Sequence, residues 1–421
     1  MHIYCSLDIK KYGKCNECQQ DNTGEDWCNT CNRERFQIGF DSWKGGNVEI
    51  DQFIQQTQLN ANKCEEVIEW IPFDKFDNVE YLAEGGFGKI YKAKWSDGYI
   101  KCWKNENWKR MRYPYICLKS LNTYTSTTTT TTTTTTKNSF LQEIKNQLKF
   151  RGGWAIAIYG ITFNPIKNEY MMVLQYAECG SLRNMLNNNF KDLTWESKIA
   201  NLFLVIVGLA KIHECGLAHK DLHSGNIVNT SITNSYITDF GLCKPISEND
   251  QEKIYGVIPF MAPETLGRGE YTQKSDIYSF GMIMLEVFTS YPPYYNIPHD
   301  EKLVMFICEG HKPEIKCEIP QSLKHLMEKC WDTDPSSRPT AKELEIQLKE
   351  YSYYSEKFWS NDKANIKFIQ YDPKKTHPQA IYTSRNLSFL KSKKVETNIH
   401  GTKQWDLEIP DDIREENEIN L

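Results

Sequence analysis

The stretch AHKDLHSGNIV (218–228), followed by DFG (239–241), is the tightest constraint on how this chain can fold. It sets two carboxylates, Asp221 and Asp239, and one carboxamide, Asn226, close together along the sequence. Singly, each reads as an ordinary surface residue. Together and in this order they read as a set that the fold must bring to one place.

The segments on either side differ in period. VEYLAEGGFGKIYKAKW, the turn SDG, YIKCW and YPYICLKSL read as strands, whereas beyond about residue 179 KIANLFLVIVGLAKIHECG and SDIYSFGMIMLEVFT read as apolar helices. A strand-rich lobe followed by a helix-rich lobe predicts an α+β, two-lobed fold with a ligand bound between the lobes. In the first lobe EGGFGKIY (84–91) is a glycine-rich turn, where Gly85, Gly86 and Gly88 let the backbone approach phosphate oxygens. Lys119 ends the strand ICLK, and Glu143 lies in the helical segment FLQEIKNQL. A lysine that faces phosphates needs such a carboxylate to hold its position. Asp221 to orient a hydroxyl, with Asn226 and Asp239 to hold magnesium, completes the minimum set for moving a γ-phosphoryl group.

With these residues in place, residues from about 78 to 350 resemble a eukaryotic protein kinase domain. The resemblance implies ATP and Mg2+ (or Mn2+) as cofactors and a protein hydroxyl as acceptor. AEGGFGKIY resembles the loop that covers the phosphates, with Ala83 in place of its first glycine and Ile90 just beyond. ICLK makes Lys119 the phosphate-positioning lysine, Glu143 its helix partner, and Cys117 the residue over the adenine. YMMVLQYAECGSL resembles the hinge, with Leu174 gating the pocket and the Gln175 and Ala177 backbones facing the adenine edge. HKDLHSGN implies that Asp221 is the catalytic base and Asn226 a metal ligand, and DFG implies that Asp239 is the main one. APE and DPSSRPT imply a Glu264–Arg338 pair, and SDIYSFG implies that Asp276 anchors the catalytic loop. The closing CWDTDPSSRPTAKEL is most similar to the tyrosine-kinase-like group, and serine/threonine transfer is favoured over tyrosine. The other reading is a pseudokinase or scaffold; such proteins lose the lysine, the base or the metal aspartate, and all three are retained here.

The chain departs from the family pattern at several points. Lys220 stands where an arginine grips a phosphate, and lysine lacks the planar two-pronged grip. Between Leu242 and Met261 only Ser247 and Tyr255 offer hydroxyls, and Glu248, Asp250 and Glu252 are expected to stand in partly for a phosphate. Val257 replaces a threonine and His223 a lysine near the transferred group. Gln147 takes an apolar position against Phe240 and is expected to loosen the helix that carries Glu143.

Outside this region, Cys15 and Cys18, with Cys28 and Cys31, form two C-x-x-C pairs separated by a short polar loop. That spacing predicts a closed four-thiolate structural zinc site within residues 1–40. The module loosely resembles small zinc fingers that bind ubiquitin or RNA. Residues 41–75 read as a helical connector, with Ile50, Phe53 and Ile54 on one face, ahead of a main domain over 76–352. The run Thr127–Thr136 reads as a surface loop expansion at about 123–137, and 353–421 as a polar, disordered tail or an inhibitory or docking segment. A net charge of −5 asks for no nucleic-acid or membrane partner of the main domain. The longest apolar run, Leu202–Ala210, is too short to span a bilayer, so the expectation is a cytoplasmic protein with reduced cysteines.

Overall fold

Strict alternation along the strands builds the first lobe. In a strand, successive side chains point to opposite faces, and Met171 and Val173 enter one apolar cluster while Met172 and Leu174 enter another. The computed structural model describes residues 12–85, 88–120, 132–151, 153–245, 254–353 and 370–390. Helices α1 (Asn29–Gly39) and α2 (Val48–Asn60) come first. Strands β1 (Glu69–Trp70), β2 (Phe76–Gly85), β3 (Gly88–Trp95), β4 (Tyr99–Lys104), β5 (Asn107–Met111) and β6 (Ile116–Ser120) follow, then helix α3 (Thr132–Phe150) and strands β7 (Ile158–Asn164) and β8 (Glu169–Gln175). The main sheet runs in the order β1-β7-β8-β6-β3-β2. Its pairs are antiparallel except β1–β7.

The segment 41–75 is more than a connector. Asn47 caps α2 by accepting from the backbone N–H groups of Glu49 and Ile50. Ile50 and Ile54 are buried against Phe140 and Ile144 of α3, with Phe53 at the margin, and β1 adds an edge strand to the sheet. Helical period alone exposes the apolar face but not its partner, which comes from the far side of the lobe.

The β4–β5 hairpin stands apart from the main sheet. Asn105 and Glu106 close it with φ of 53° and 58°, as a tight primed turn requires. Its outer face carries the N-terminal module: Trp27 is fully buried and stacks on Trp108, which also stacks on Phe36. Trp27 Nε1 donates to the Ala61 carbonyl at 2.9 Å.

Helix α3 begins at Thr132, so it reaches into the threonine run read as a loop. Threonine is a poor nucleus for a helix, but extending one already nucleated adds a hydrogen bond for each residue fixed. Residues 121–131 lie outside the described residues, as do Gly86, Ser247, Glu248, Asp250 and Glu252.

The second lobe holds α4 (Leu182–Asn189), α5 (Trp195–Glu214), β9 (Leu217–Ala218), β10 (Ile227–Ser231), β11 (Asn234–Ile237), β12 (Lys244–Pro245), β13 (Tyr255–Gly256), α6 (Pro263–Arg268), α7 (Gln273–Thr289), α8 (Glu301–Cys308), α9 (Gln321–Cys330) and α10 (Ala341–Tyr353). The long apolar helices are its core. Thr194 caps α5, and a reciprocal Thr272/Ser275 box caps α7, of which every residue from Ser275 to Thr289 is buried.

The tail is not the featureless segment that its polar composition suggests. Tyr371 and Leu387 are buried, and strand β14 (Arg385–Asn386) pairs antiparallel with β13. Its contacts are spread over several elements with no period, which leaves no mark that composition can show. Ser388–Leu390 form a short turn at the start of a separate unit. Among the described residues no helix is long and apolar enough to cross a membrane.

Candidate active site

The sheet register places the first half of the site. Ile90 pairs with Lys119, Cys117 with Leu174, and Ile116 with Gln175. Ala83, Gly85 and Gly88 lie on the adjoining β2–β3 hairpin, where Gly85 faces Gly88 across the turn. Cys117 lies beneath it; burial pushes its thiol up to about 12 against the pull of Lys119. The Gln175 N–H donates to the Ala157 carbonyl at 2.8 Å, and the Gly180 N–H donates to the Ala177 carbonyl at 2.9 Å, which holds the hinge segment in place.

Lys119 is buried, with Nζ 2.7 Å from Glu143 Oε1 and 3.0 Å from Asp239 Oδ1. Burial disfavours its charge, but Asp239 and Glu143 outweigh that and hold the ammonium above its ordinary pKa. One cation therefore ties a strand, a helix and the DFG segment to a single point.

Sequence reading missed Asn146, which strengthens this tie. One turn along α3 from Glu143, it donates to the carbonyls of Cys243 at 3.0 Å and Phe240 at 3.5 Å. Gln147 does not loosen the helix: its side chain is buried and donates to the Ile156 carbonyl, while Phe150 provides the ring that stacks on Phe240. Among polar residues on a helix, only the tertiary partner distinguishes a brace from a defect.

The second half of the site is the loop after β9. Asp276 Oδ2 accepts from the His219 N–H at 2.8 Å and lies 2.9 Å from His213 Nε2, and Oδ1 accepts from the Lys220 N–H at 3.0 Å. This carboxylate holds Lys220 at φ 68°, the turn that aims Asp221 into the cleft. Asn226 Nδ2 donates to both the carbonyl (2.9 Å) and Oδ2 (3.0 Å) of Asp221. His223 Nδ1 accepts from the Gly225 N–H, which directs Nε2 toward Asp221 Oδ2 at 3.7 Å. Burial alone would raise the Asp221 carboxyl. His223 and His219 outweigh it and hold Asp221 below its usual value, so its carboxylate is ionised at neutral pH.

Glu264 and Arg338 meet as a buried bidentate pair, at 2.7 and 2.8 Å. Arg183 was not foreseen: it bonds Ser224 at 2.8 Å and Glu286 at 2.9 Å beside the same loop. An arginine in an unremarkable helix carries no sequence signal for this role.

The four cysteines also converge. The sulfurs of Cys15, Cys18, Cys28 and Cys31 all lie within 4.8 Å of one another, with Cys15–Cys31 at 3.8 Å and Cys18–Cys28 at 3.5 Å. Among the described residues this is the one group of cysteine, histidine and acidic side chains placed to hold a metal ion.

The protein tyrosine and serine/threonine kinase family matches residues 76–348. A probable serine/threonine-protein kinase of Dictyostelium discoideum, gdt2, is 28% identical over 67% of the chain and 16% of its own length. The dual specificity protein kinase pyk3 of the same organism is 25% identical over 71% of the chain and 21% of its own. MDIS1-interacting receptor like kinase 2 of Arabidopsis thaliana is 30% identical over 63% of the chain and 25% of its own. The chain thus spans a quarter or less of the length of these relatives.

Proposed function

Because the chain belongs to the protein tyrosine and serine/threonine kinase family, we propose that it transfers the γ-phosphoryl group of ATP to a protein hydroxyl, serine or threonine before tyrosine. The family uses ATP and a divalent metal. The observation that carries the reading is the closed arrangement of Lys119, Glu143 and Asp239 opposite an ionised Asp221. Asp239 and Asn226 offer a carboxylate and a carboxamide oxygen, hard donors that fit Mg2+, whose bound charge would offset that of the phosphates. Lys119 binds phosphate oxygens, the β2–β3 hairpin covers them, and Asp221 orients the acceptor hydroxyl and takes up its proton.

The test is transfer from γ-labelled ATP and magnesium to dephosphorylated casein, with an Asp239→Asn variant alongside. Transfer by the native chain that is lost in the variant supports the reading. Nucleotide binding without transfer in the native chain overturns it in favour of a scaffold.

For the N-terminal module the reading is a structural zinc site that braces the first lobe. Its four sulfurs surround one point, and its tryptophan joins the core of the β4–β5 hairpin. Metal analysis should return one zinc per chain. Stripping the ion with a chelator should lower the unfolding midpoint by roughly 5 °C and change the emission of Trp27 and Trp108. A stripped chain with an unaltered midpoint would leave the module as a docking site for ubiquitin or RNA.

A further inference from the structure

Tail residues Gln370–Leu387 follow a path along the second lobe that ends at the catalytic loop. The Gln370 amide donates to the Asn187 carbonyl at 3.2 Å, and the Tyr371 N–H to Ser290 Oγ at 3.0 Å. The His377 N–H donates to the Tyr295 carbonyl at 2.8 Å. His299 is buried and clamps the next stretch. Its N–H donates to the Gln379 carbonyl at 3.1 Å, its Nε2 lies 3.1 Å from the Tyr294 carbonyl, and its Nδ1 lies 2.9 Å from the Ile381 carbonyl and 3.0 Å from the Ile381 nitrogen. Burial holds the His299 pKa below its ordinary value. Tyr382 lies under the Arg183 guanidinium at 4.0 Å and donates to the Pro293 carbonyl at 2.9 Å. Beyond Ser384 the chain pairs as a strand with the segment that precedes Ala262–Glu264: Arg385 with Gly256, Asn386 with Tyr255, and the Leu387 N–H to the Ile254 carbonyl at 2.8 Å.

Between the tyrosine anchor and the strand sits Ser384. It is buried, and its Oγ makes no hydrogen bond of normal geometry among the described residues. A buried hydroxyl calls for a partner. Its neighbour is the Asp221 carboxylate, on which this hydroxyl acts.

We propose that Ser384 is a phosphoacceptor in its own chain, with Gln370–Leu387 lying in the groove where a protein acceptor binds. The strand pairing with Tyr255–Gly256 is sequence-independent main-chain recognition of an extended segment, and it fixes which residue faces Asp221. The inference rests on the kinase reading above. In the step, a lone pair of Ser384 Oγ forms the new bond to the γ-phosphorus of ATP. The bond from that phosphorus to the β,γ-bridging oxygen breaks, and its electron pair leaves on ADP. The hydroxyl proton passes to Asp221. The product, a phosphoserine beside a buried carboxylate, is repelled by it, so phosphorylation expels the tail and frees the groove.

The experiment uses the full chain with magnesium and γ-labelled ATP, with and without dephosphorylated casein, and peptide mapping of the label. Label should appear on Ser384, disappear in Ser384→Ala, and form at a first-order rate unchanged over a tenfold dilution. Tyr382→Ala and Leu387→Asp, each of which unseats the tail, should lower the KM for casein several-fold and leave kcat unchanged. Preincubation with ATP should do the same to the native chain. Labelled casein with unlabelled Ser384, or a Ser384 rate that rises with protein concentration, overturns the proposal and leaves the kinase reading standing. Failure to label either one removes the kinase reading, and this proposal with it.

Discussion

An Asp221→Asn variant should bind ATP as the native chain does and lose roughly 10²–10⁴-fold in kcat, the range expected for removing a positioned proton acceptor. In the proposed reading the nucleotide is anchored elsewhere, on Lys119 and the hinge, so affinity for ATP is not at stake. The substitution keeps the shape of the side chain but replaces an ionised oxygen, which Asn226 and His223 face, with an amide that cannot take a proton at neutral pH. More than a tenth of native activity in the variant would refute the assignment of Asp221. The pH profile follows from the same surroundings. The folded state holds the Asp221 carboxyl below its ordinary value of 3.8. Its contribution to stability is therefore complete above that pH and is lost only as pH falls through the lower, folded value. Between about pH 5 and 8, activity should not titrate with Asp221.

Loss of Glu264 or Arg338 should have the largest effect on stability, about 3–5 kcal/mol for Arg338→Ala or Glu264→Ala. A guanidinium carries five N–H donors, and here each has an acceptor. Nε donates to the Asp332 carbonyl at 2.7 Å. One terminal nitrogen donates to Glu264 Oε1 at 2.7 Å and the Lys274 carbonyl at 2.9 Å. The other donates to Glu264 Oε2 at 2.8 Å and the Thr333 carbonyl at 3.4 Å. Arg338 is 1% exposed, so nothing from solvent replaces a lost partner. Arg338→Lys should also destabilise, since an ammonium has three donors and no fork. A Glu264→Met/Arg338→Leu double variant should be less damaged than either alanine variant, because it leaves no uncompensated buried charge. Denaturant unfolding reads all four. Equal losses in the single and double variants would mean that packing, not charge pairing, sets the cost.

The sequence made the chemistry legible and left its supports hidden. Lys119, Glu143, Asp221, Asn226 and Asp239 could be named because, though each type is common, their order and flanking motifs together are specific, and the fold brings all five to one cleft. The cysteine pairs were legible for the same reason. Asn146 and Arg183 were not, because an amide or a guanidinium on a helix is common and only its distant partner gives it a role. The tail failed differently. Its anchors, Tyr371, Ile381, Tyr382 and Leu387, contact separate elements at irregular intervals, so no periodicity announces a buried face. The threonine run shows that low propensity does not stop a helix whose nucleus lies downstream.

Synthesis runs from the N-terminus, and domains fold as they emerge. The residues that form the second lobe, through Tyr353, therefore leave the ribosome before Gln370–Leu387. During that interval the Tyr255–Gly256 backbone has no strand beside it and is an open edge, the kind of surface on which unrelated chains pair. The tail is thus a late-arriving cover as well as a candidate acceptor. Chains interrupted just after α10 are the ones that would meet their neighbours with that edge bare.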